Sequence, residues 1–154
     1  MKERCSNKSA GTIVRKDGKI LLIERMKVPF GFAAPAGHVD EGEDYETCAK
    51  RELSEETGLN VIDIAFLIEG RQEGTCHRGG TWHYWKVYRA EVKGQERREA
   101  KEAKQMGWYS IEEIRKLADK TRKYTAGEIT ESDWQKSPGL EIAWFDWFTK
   151  LGII

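Results

Sequence analysis

Apolar positions along this chain change their spacing several times, and each change marks a new element. Gly11-Thr12-Ile13-Val14 and Ile20-Leu21-Leu22-Ile23 are short apolar runs on either side of Asp17-Gly18, which predicts a β-hairpin closed by a two-residue turn. Val28 to Glu43 breaks the pattern with Pro29, Gly31, Pro35, Gly37 and Gly42 among Phe30, Phe32 and Val39, so it reads as loop with short extended pieces. Asp44 to Thr57 then reads as a helix, with Gly58 placed as its C-terminal cap. Val61 to Ile68 and Thr81 to Val92 are rich in β-branched, aromatic and alternating positions and read as strands joined by a glycine-containing loop over 69–80. Gln95 to Gln105 is charged and without apolar period, and Met106 to Tyr109 is a short strand. Ser110-Ile111-Glu112-Glu113 is a capping-box signature for a helix reaching about Lys120. Leu140, Trp144, Trp147, Phe148 and Leu151 recur at helical spacing and predict a last helix whose aromatic stripe docks on this chain's core or on a second copy, which leaves a homodimer open.

Composition narrows the function. A length of 154 residues suits one domain. The 26 Lys and Arg balance the 26 Asp and Glu, so the chain lacks the cationic field on which non-specific binders of long nucleic acid or of membrane surfaces depend. Six tryptophans supply more packing surface than a disordered polymer carries. No apolar run approaches a membrane span, and no signal-peptide core follows the charged start, so the expected compartment is the cytoplasm. Cys5, Cys48 and Cys76 are odd in number, widely spaced and without a Cys-x-x-Cys pair, which indicates neither a disulfide framework nor a zinc site.

One stretch breaks a local rule. Glu52, Glu55 and Glu56 share one face of the 44–57 helix in its last two turns. Like charges at that spacing cost about a few tenths of a kcal/mol per pair. The negative end of the helix dipole adds about 0.3–1 kcal/mol for each carboxylate placed there. Three clustered carboxylates suit a hard divalent cation such as Mg²⁺ or Mn²⁺, whose remaining positions take phosphate oxygens. A solvated acidic face is the other reading of the same three residues.

The flanking residues separate these readings. Gly37, Glu43, Arg51, Glu52, Leu53, Glu55, Glu56, Gly58 and Leu59 match every fixed position of the Nudix box, G-x5-E-x7-R-E-U-x-E-E-x-G-U with U aliphatic. Chance agreement is on the order of 10⁻⁹ per starting position at average residue usage. The segment therefore resembles the Nudix hydrolase family, MutT-like members included, and the surrounding pattern is similar to the Nudix fold, a single-domain α/β/α sandwich around a mixed β-sheet. The resemblance implies hydrolysis of a nucleoside diphosphate linked to another moiety, a small-molecule substrate, by water attack on phosphorus. It implies that Glu52, Glu55 and Glu56 are metal ligands for Mg²⁺ or Mn²⁺, that Gly37 offers its carbonyl, and that Arg51 orients the carboxylates. Glu43 would tie the loop to the helix entrance, and Gly58 is structural. The family's general base is a box glutamate or one from a later loop, and the stretch before Trp108 supplies Glu96, Glu99 and Glu102, of which Glu102 is favoured for its place before the Met106 strand.

Substrate contacts are less sharply marked. Arg25, at the end of the second hairpin strand, is a candidate for substrate phosphate, and Arg71, Arg78, Arg97 and Arg98 are further cations that include candidates for a phosphate clamp. Alternation puts Trp82, Tyr84 and Tyr88 on one face of their strand and Trp85 on the other, so one face is core and the other is available, with Phe30 or Phe32, to stack a nucleobase. Phe32, Trp82 and Tyr84 are taken forward as the stacking candidates. His38, His77 and His83 have a spacing that builds no metal set. The proline past the box often seen in ADP-ribose-hydrolysing members is absent, and the first tyrosine past the box, Tyr84, is late for diadenosine polyphosphate members. No coenzyme A signature is recognisable. Ala36 stands where the family commonly has a second glycine. The expectation is thus a metal-dependent pyrophosphohydrolase, with (d)NTP cleavage to NMP and pyrophosphate as one form of it. Its rival is a non-catalytic Nudix module that senses a nucleotide or ADP-ribose, a class that typically loses box glutamates.

Overall fold

A computed structural model describes residues 4–154. Strand β1 (Lys8–Lys16) turns through Asp17 and Gly18 into β2 (Lys19–Arg25), and both turn residues have positive φ, 52° and 75°, the conformation that matches the twist of a tight hairpin. The loop-rich stretch holds two short strands, β3 (Phe32–Ala33) and β4 (Ala36–His38), before helix α1 (Tyr45–Thr57). Strands β5 (Asn60–Glu73), β6 (Trp82–Lys93) and β7 (Ala103–Ser110) follow, and then helices α2 (Ile111–Thr125), α3 (Glu131–Lys136) and α4 (Ile142–Lys150).

The sheet is mixed. β1 runs parallel to β6, from Lys8 opposite Tyr84 to Val14 opposite Ala90, and antiparallel to β4. β5 extends the sheet antiparallel to β6, while β2 pairs along its length with β7 and at its end with β3. Alternation along β1 and β2 sorts side chains to two faces. Ala10, Val14 and Leu21 pack with Cys48, Ala49 and Leu53 of α1, whereas Ile13, Ile20 and Leu22 pack with Ile114 of α2 and Trp144, Trp147 and Phe148 of α4. This is the single-domain α/β/α arrangement that the resemblance implied, and the aromatic stripe of the last helix docks on its own sheet. Gly11 makes that docking possible, because a Cβ there would lie 2.5 and 2.8 Å from the Trp144 ring. No helix among the described residues is long and apolar enough to cross a membrane.

Four expectations change. β5 continues past Ile68 to Glu73, because ladder pairing with β6 persists to Glu73 opposite Trp82 after the apolar signal has ended, and the connecting loop shrinks to 74–81. β7 begins at Ala103, inside the charged stretch, since β2 supplies a hydrogen-bonding edge that composition does not reveal. Helix α2 runs beyond Lys120 to Thr125 on polar turns, and α3, capped by Thr130 and anchored by buried Trp134, has too few apolar positions to be seen. Leu140 precedes α4 instead of belonging to it. It bridges to Phe32, fixed by the amide of Phe32 donating to the Gly139 carbonyl (2.8 Å) and that of Glu141 donating to the Phe32 carbonyl (2.9 Å).

Candidate active site

Helix α1 starts with the Asp44 carboxylate accepting from the amide of Thr47 (2.7 Å) and ends at Gly58, whose φ of 75° is the left-handed cap conformation that glycine adopts without strain. These two caps set the register that brings Arg51, Glu52, Glu55 and Glu56 to one side.

Arg51 is the hub. Its Nε and Nη2 donate to the two carboxylate oxygens of Glu43 at 2.8 and 2.9 Å, a bidentate pair, and Nη2 also donates to the His38 carbonyl (3.2 Å). Nη1 donates to Glu52 (3.0 Å) and to Glu55 (3.2 Å). The Glu43 carboxylate also accepts from the amide of Asp40 (3.1 Å), so it ties loop to helix as expected. The guanidinium holds the Glu43 carboxyl below the usual carboxylate range. Repulsion among the box glutamates is thereby relieved on one side only. None of these bonds reaches Glu56, which is 4% exposed, and its Oε2 is shielded from solvent with no hydrogen-bond partner. Burial, with Glu52 beside it, pushes the Glu56 carboxyl well above its ordinary range, and burial raises that of Glu52 too, against the pull of Arg51.

This donor set fits a divalent cation. A buried carboxylate oxygen without a partner costs free energy until a cation or proton meets it. Gly37 closes the set from the β4 side, where its backbone lies so near the Glu52 carboxylate that a Cβ on residue 37 would collide with it. Oxygen donors alone favour a hard ion over a soft one.

Above these groups opens a cavity of about 880 Å³, a size that suits a nucleotide. Its wall includes Gly37, Arg51, Glu52, Glu55 and Glu56, and also Arg25 and Glu102, so the structure brings these expected site residues together. Glu102 is carried by the 95–102 segment, which folds back over the end of α1 through the amide of Arg97 donating to the Thr57 carbonyl (2.7 Å) and that of Glu99 to the Glu56 carbonyl (3.4 Å). Glu102 faces Lys27 at 3.7 Å and is half exposed, Glu99 also lines the cavity, and Glu96 turns away to accept from Trp108 Nε1 (2.8 Å). Arg25 donates to the Pro29 carbonyl (2.7 Å) and stands 3.7 Å from Glu141, a buried carboxylate on the cavity wall that no motif or spacing had marked.

The three stacking candidates lie elsewhere. Phe32 is 7% exposed in the core, edge-on to Tyr109 at 5.5 Å, and it is Phe30 that lines the cavity. Trp82 and Tyr84 occupy the face of β6 that carries Tyr88 toward α1, with the Arg71 guanidinium 4.4 Å over the Trp82 ring. The opposite face presents His83 and Trp85 to the cavity. Alternation separated the two faces correctly, but both bear aromatics, so composition did not tell which one the cavity uses.

A second group of side chains meets beside the cavity. Cys5, His38, Cys76 and His83, dispersed in sequence, place one ligand atom each within 4.8 Å of one another, so the spacing that indicated no metal set concealed a convergence made by folding. His38 is kept neutral, its pKa pushed down to about 3, chiefly by burial and then by Arg78.

Comparison with known proteins bears on the family and the fold. The NUDIX domain family model matches residues 7–129. An ADP-ribose pyrophosphatase of Methanocaldococcus jannaschii is 35% identical over 108 residues, 69% of this chain and 63% of that protein. An RNA pyrophosphohydrolase of Caulobacter vibrioides is 43% identical over 56 residues, 35% of this chain, and the match spans only 33% of that relative's length. Among solved structures, a MutT NUDIX hydrolase from Burkholderia pseudomallei superposes with a TM-score of 0.62 at 28% identity, covering 68% of this chain and 83% of that one. A MutT protein from Methanosarcina mazei shares the fold over 97% of this chain and 95% of its own, with a TM-score of 0.69 at 18% identity. The carboxylate-bearing helix, the glycine that closes on it and a family match across most of the chain lead to one statement: this protein belongs to the NUDIX family.

Proposed function

We propose that this chain is a divalent-metal-dependent pyrophosphohydrolase that cleaves the diphosphate linkage of a small nucleoside diphosphate derivative. The observation that carries the reading is the buried, unpartnered Oε2 of Glu56, set among Glu52, Glu55 and Gly37 at the floor of a nucleotide-sized cavity. Glu52, Glu55, Glu56 and the Gly37 carbonyl hold the cation. Mg²⁺ or Mn²⁺ bound there would neutralise diphosphate oxygens and lower the pKa of a water toward neutrality. The chain's own contribution is position and proton transfer. Arg51 keeps Glu52 and Glu55 aimed, Arg25 faces the substrate phosphates, and Glu102 takes the proton of the attacking water. A bond from the water oxygen to phosphorus forms, the bond from that phosphorus to the bridging oxygen breaks, and the leaving phosphate group carries away the electron pair on that oxygen. Phe30, not the even-numbered face of β6, is the aromatic placed to meet the base.

A release assay over ADP-ribose, nucleotide sugars, (d)NTPs, dinucleoside polyphosphates and a 5′-triphosphorylated RNA oligonucleotide, with Mg²⁺ or Mn²⁺, tests this reading. Turnover of one small-molecule class that disappears in Glu56→Gln is the expected result. Tight binding of ADP-ribose or a nucleotide without metal-dependent turnover of any substrate would instead establish a sensor. Glu102→Gln should lower kcat about 10²- to 10⁴-fold while calorimetric metal binding persists. Near-normal turnover removes Glu102 from the mechanism.

A further inference from the structure

We propose that Cys5, His38, Cys76 and His83 form a second metal site, separate from the α1 carboxylates, that binds Zn²⁺ in a closed four-ligand set.

Four distant pieces of chain meet there: the segment leading into β1, the end of β4, the loop before β6, and the start of β6 itself. Their approach has the dimensions of a coordination sphere. With Zn–S near 2.3 Å and Zn–N near 2.0–2.1 Å, a tetrahedron has edges of about 3.8 Å between sulfurs and about 3.6 Å between sulfur and nitrogen. The Cys5 and Cys76 sulfurs stand 3.7 Å apart, and Cys5 Sγ lies 3.3 Å from His83 Nε2. The remaining ligand atoms complete the set within 4.8 Å. That sulfur separation is far too long for a disulfide, whose S–S bond is about 2.05 Å, so the two thiols are gathered without being joined.

The surroundings point the same way. His38 Nε2 is shielded from solvent and has no hydrogen-bond partner, a state a metal ion would satisfy. The backbone cradles the sulfurs. The amide of Asn7 donates to Cys5 Sγ (3.4 Å), and Gly80 presses on the pair so closely that a Cβ there would collide with Cys5 Sγ and come within 3.3 Å of Cys76 Sγ. The 76–80 turn is tightened by the amide of Cys76 donating to the Gly80 carbonyl and that of Gly79 to the Cys76 carbonyl, each at 3.0 Å. Asn7 pins the Cys5 segment to β6, its side-chain amide donating to the Trp82 carbonyl and its carbonyl accepting from the amide of Tyr84, both at 2.8 Å. Two thiolates and two imidazoles are a borderline-soft donor set that selects Zn²⁺ over the hard ions suited to the glutamates. A full complement of four protein ligands leaves no position for water or substrate, so the ion is structural. Because His38 directly follows Gly37, it would fasten the carbonyl that serves the first site, along with the 74–81 loop on the cavity wall.

The test uses the full-length chain, purified under reducing conditions from zinc-supplemented cells and dialysed against metal-free buffer. Elemental analysis should find one zinc per chain, retained in Glu56→Gln and lost in Cys5→Ser and in Cys76→Ser. Should those variants fail to fold, the wild-type chain reconstituted with Co²⁺ answers without them: a tetrahedral site with thiolate ligands gives intense visible d–d bands and near-ultraviolet sulfur-to-cobalt charge transfer. Stripping zinc from the wild type should lower its thermal midpoint, and zinc should restore it. Zinc below stoichiometric amounts after reconstitution, a cobalt spectrum without thiolate charge transfer, or zinc that survives in Cys5→Ser and vanishes in Glu56→Gln each overturns the assignment.

Discussion

Replacing Arg51 by lysine keeps the charge and removes the fork, and the structure says what that costs. Arg51 makes two parallel bonds to Glu43, whose side chain is only 11% exposed, and a further bond to the half-buried Glu52. Its contacts with exposed Glu55 and Asp40 add little. Charge-assisted bonds of this kind contribute roughly 1.5–3 kcal/mol each. An ammonium satisfies one carboxylate as a point charge but does not span both oxygens of Glu43 while reaching Glu52. Losing about two such bonds and regaining part of their solvation leaves a deficit of about 3 kcal/mol. For a chain of this length that corresponds to a fall in Tm of roughly 6–12 °C. Thermal unfolding followed by near-ultraviolet circular dichroism, in buffer with EDTA at pH 7, measures it. The pH dependence is a second check. Arg51 depresses the Glu43 carboxyl, so its stabilisation is present above the ordinary carboxylate pKa and is lost as the pH falls through the depressed one. The gap between wild type and Arg51→Lys should therefore close on acidification. A Tm within about 2 °C of wild type at pH 7 would refute the hub role.

Three further outcomes follow from the same geometry. Glu56→Gln should raise the Tm of the metal-free protein at pH 8 while abolishing turnover, because burial raises the Glu56 carboxyl and the ionised form opposes folding; the gain should vanish as the pH falls toward the unfolded carboxylate value, and a lower Tm at pH 8 would contradict it. Gly37→Ala should cut kcat about 100-fold by pushing the Glu52 carboxylate off its position, with far-ultraviolet circular dichroism unchanged, and full activity would show that residue 37 has room to spare. Gly11→Ala should destabilise by roughly 1–3 kcal/mol in denaturant titrations through its clash with Trp144, and Trp144→Phe in the same chain should recover part of that loss; an additive second loss would place the strain elsewhere.

What the sequence disclosed depended on how near in the chain the partners lie. Arg51, Glu52, Glu55 and Glu56 are within two helical turns, so spacing alone put them on one side, and Asp44 and Gly58 marked both ends of their helix. The hairpin was legible for the same reason, its turn residues lying between its strands. Cys5 and His83 are 78 positions apart, and only the parallel pairing of β1 with β6 makes them neighbours. Trp82 and Trp85 illustrate a different limit. Period-two alternation assigns them to opposite faces, but which face meets the cavity depends on where α1 and α4 dock. Glu141 was hidden because it lies at a helix entrance among apolar residues, where a carboxylate reads as an ordinary N-terminal charge.

The 95–102 segment does more than carry Glu102. By donating amides to the carbonyls of Glu56 and Thr57 it occupies acceptors that a helix end otherwise leaves to solvent, and so it behaves as a part of α1 contributed from elsewhere in the chain. Surface connections of this polarity ordinarily tolerate insertions and changes of length. This one is anchored in the backbone of the helix that carries Glu52, Glu55 and Glu56, so lengthening it should disturb folding and the proposed chemistry together. Amide hydrogens at Arg97 and Glu99 should accordingly exchange in step with those of the last turn of α1, as one cooperative unit.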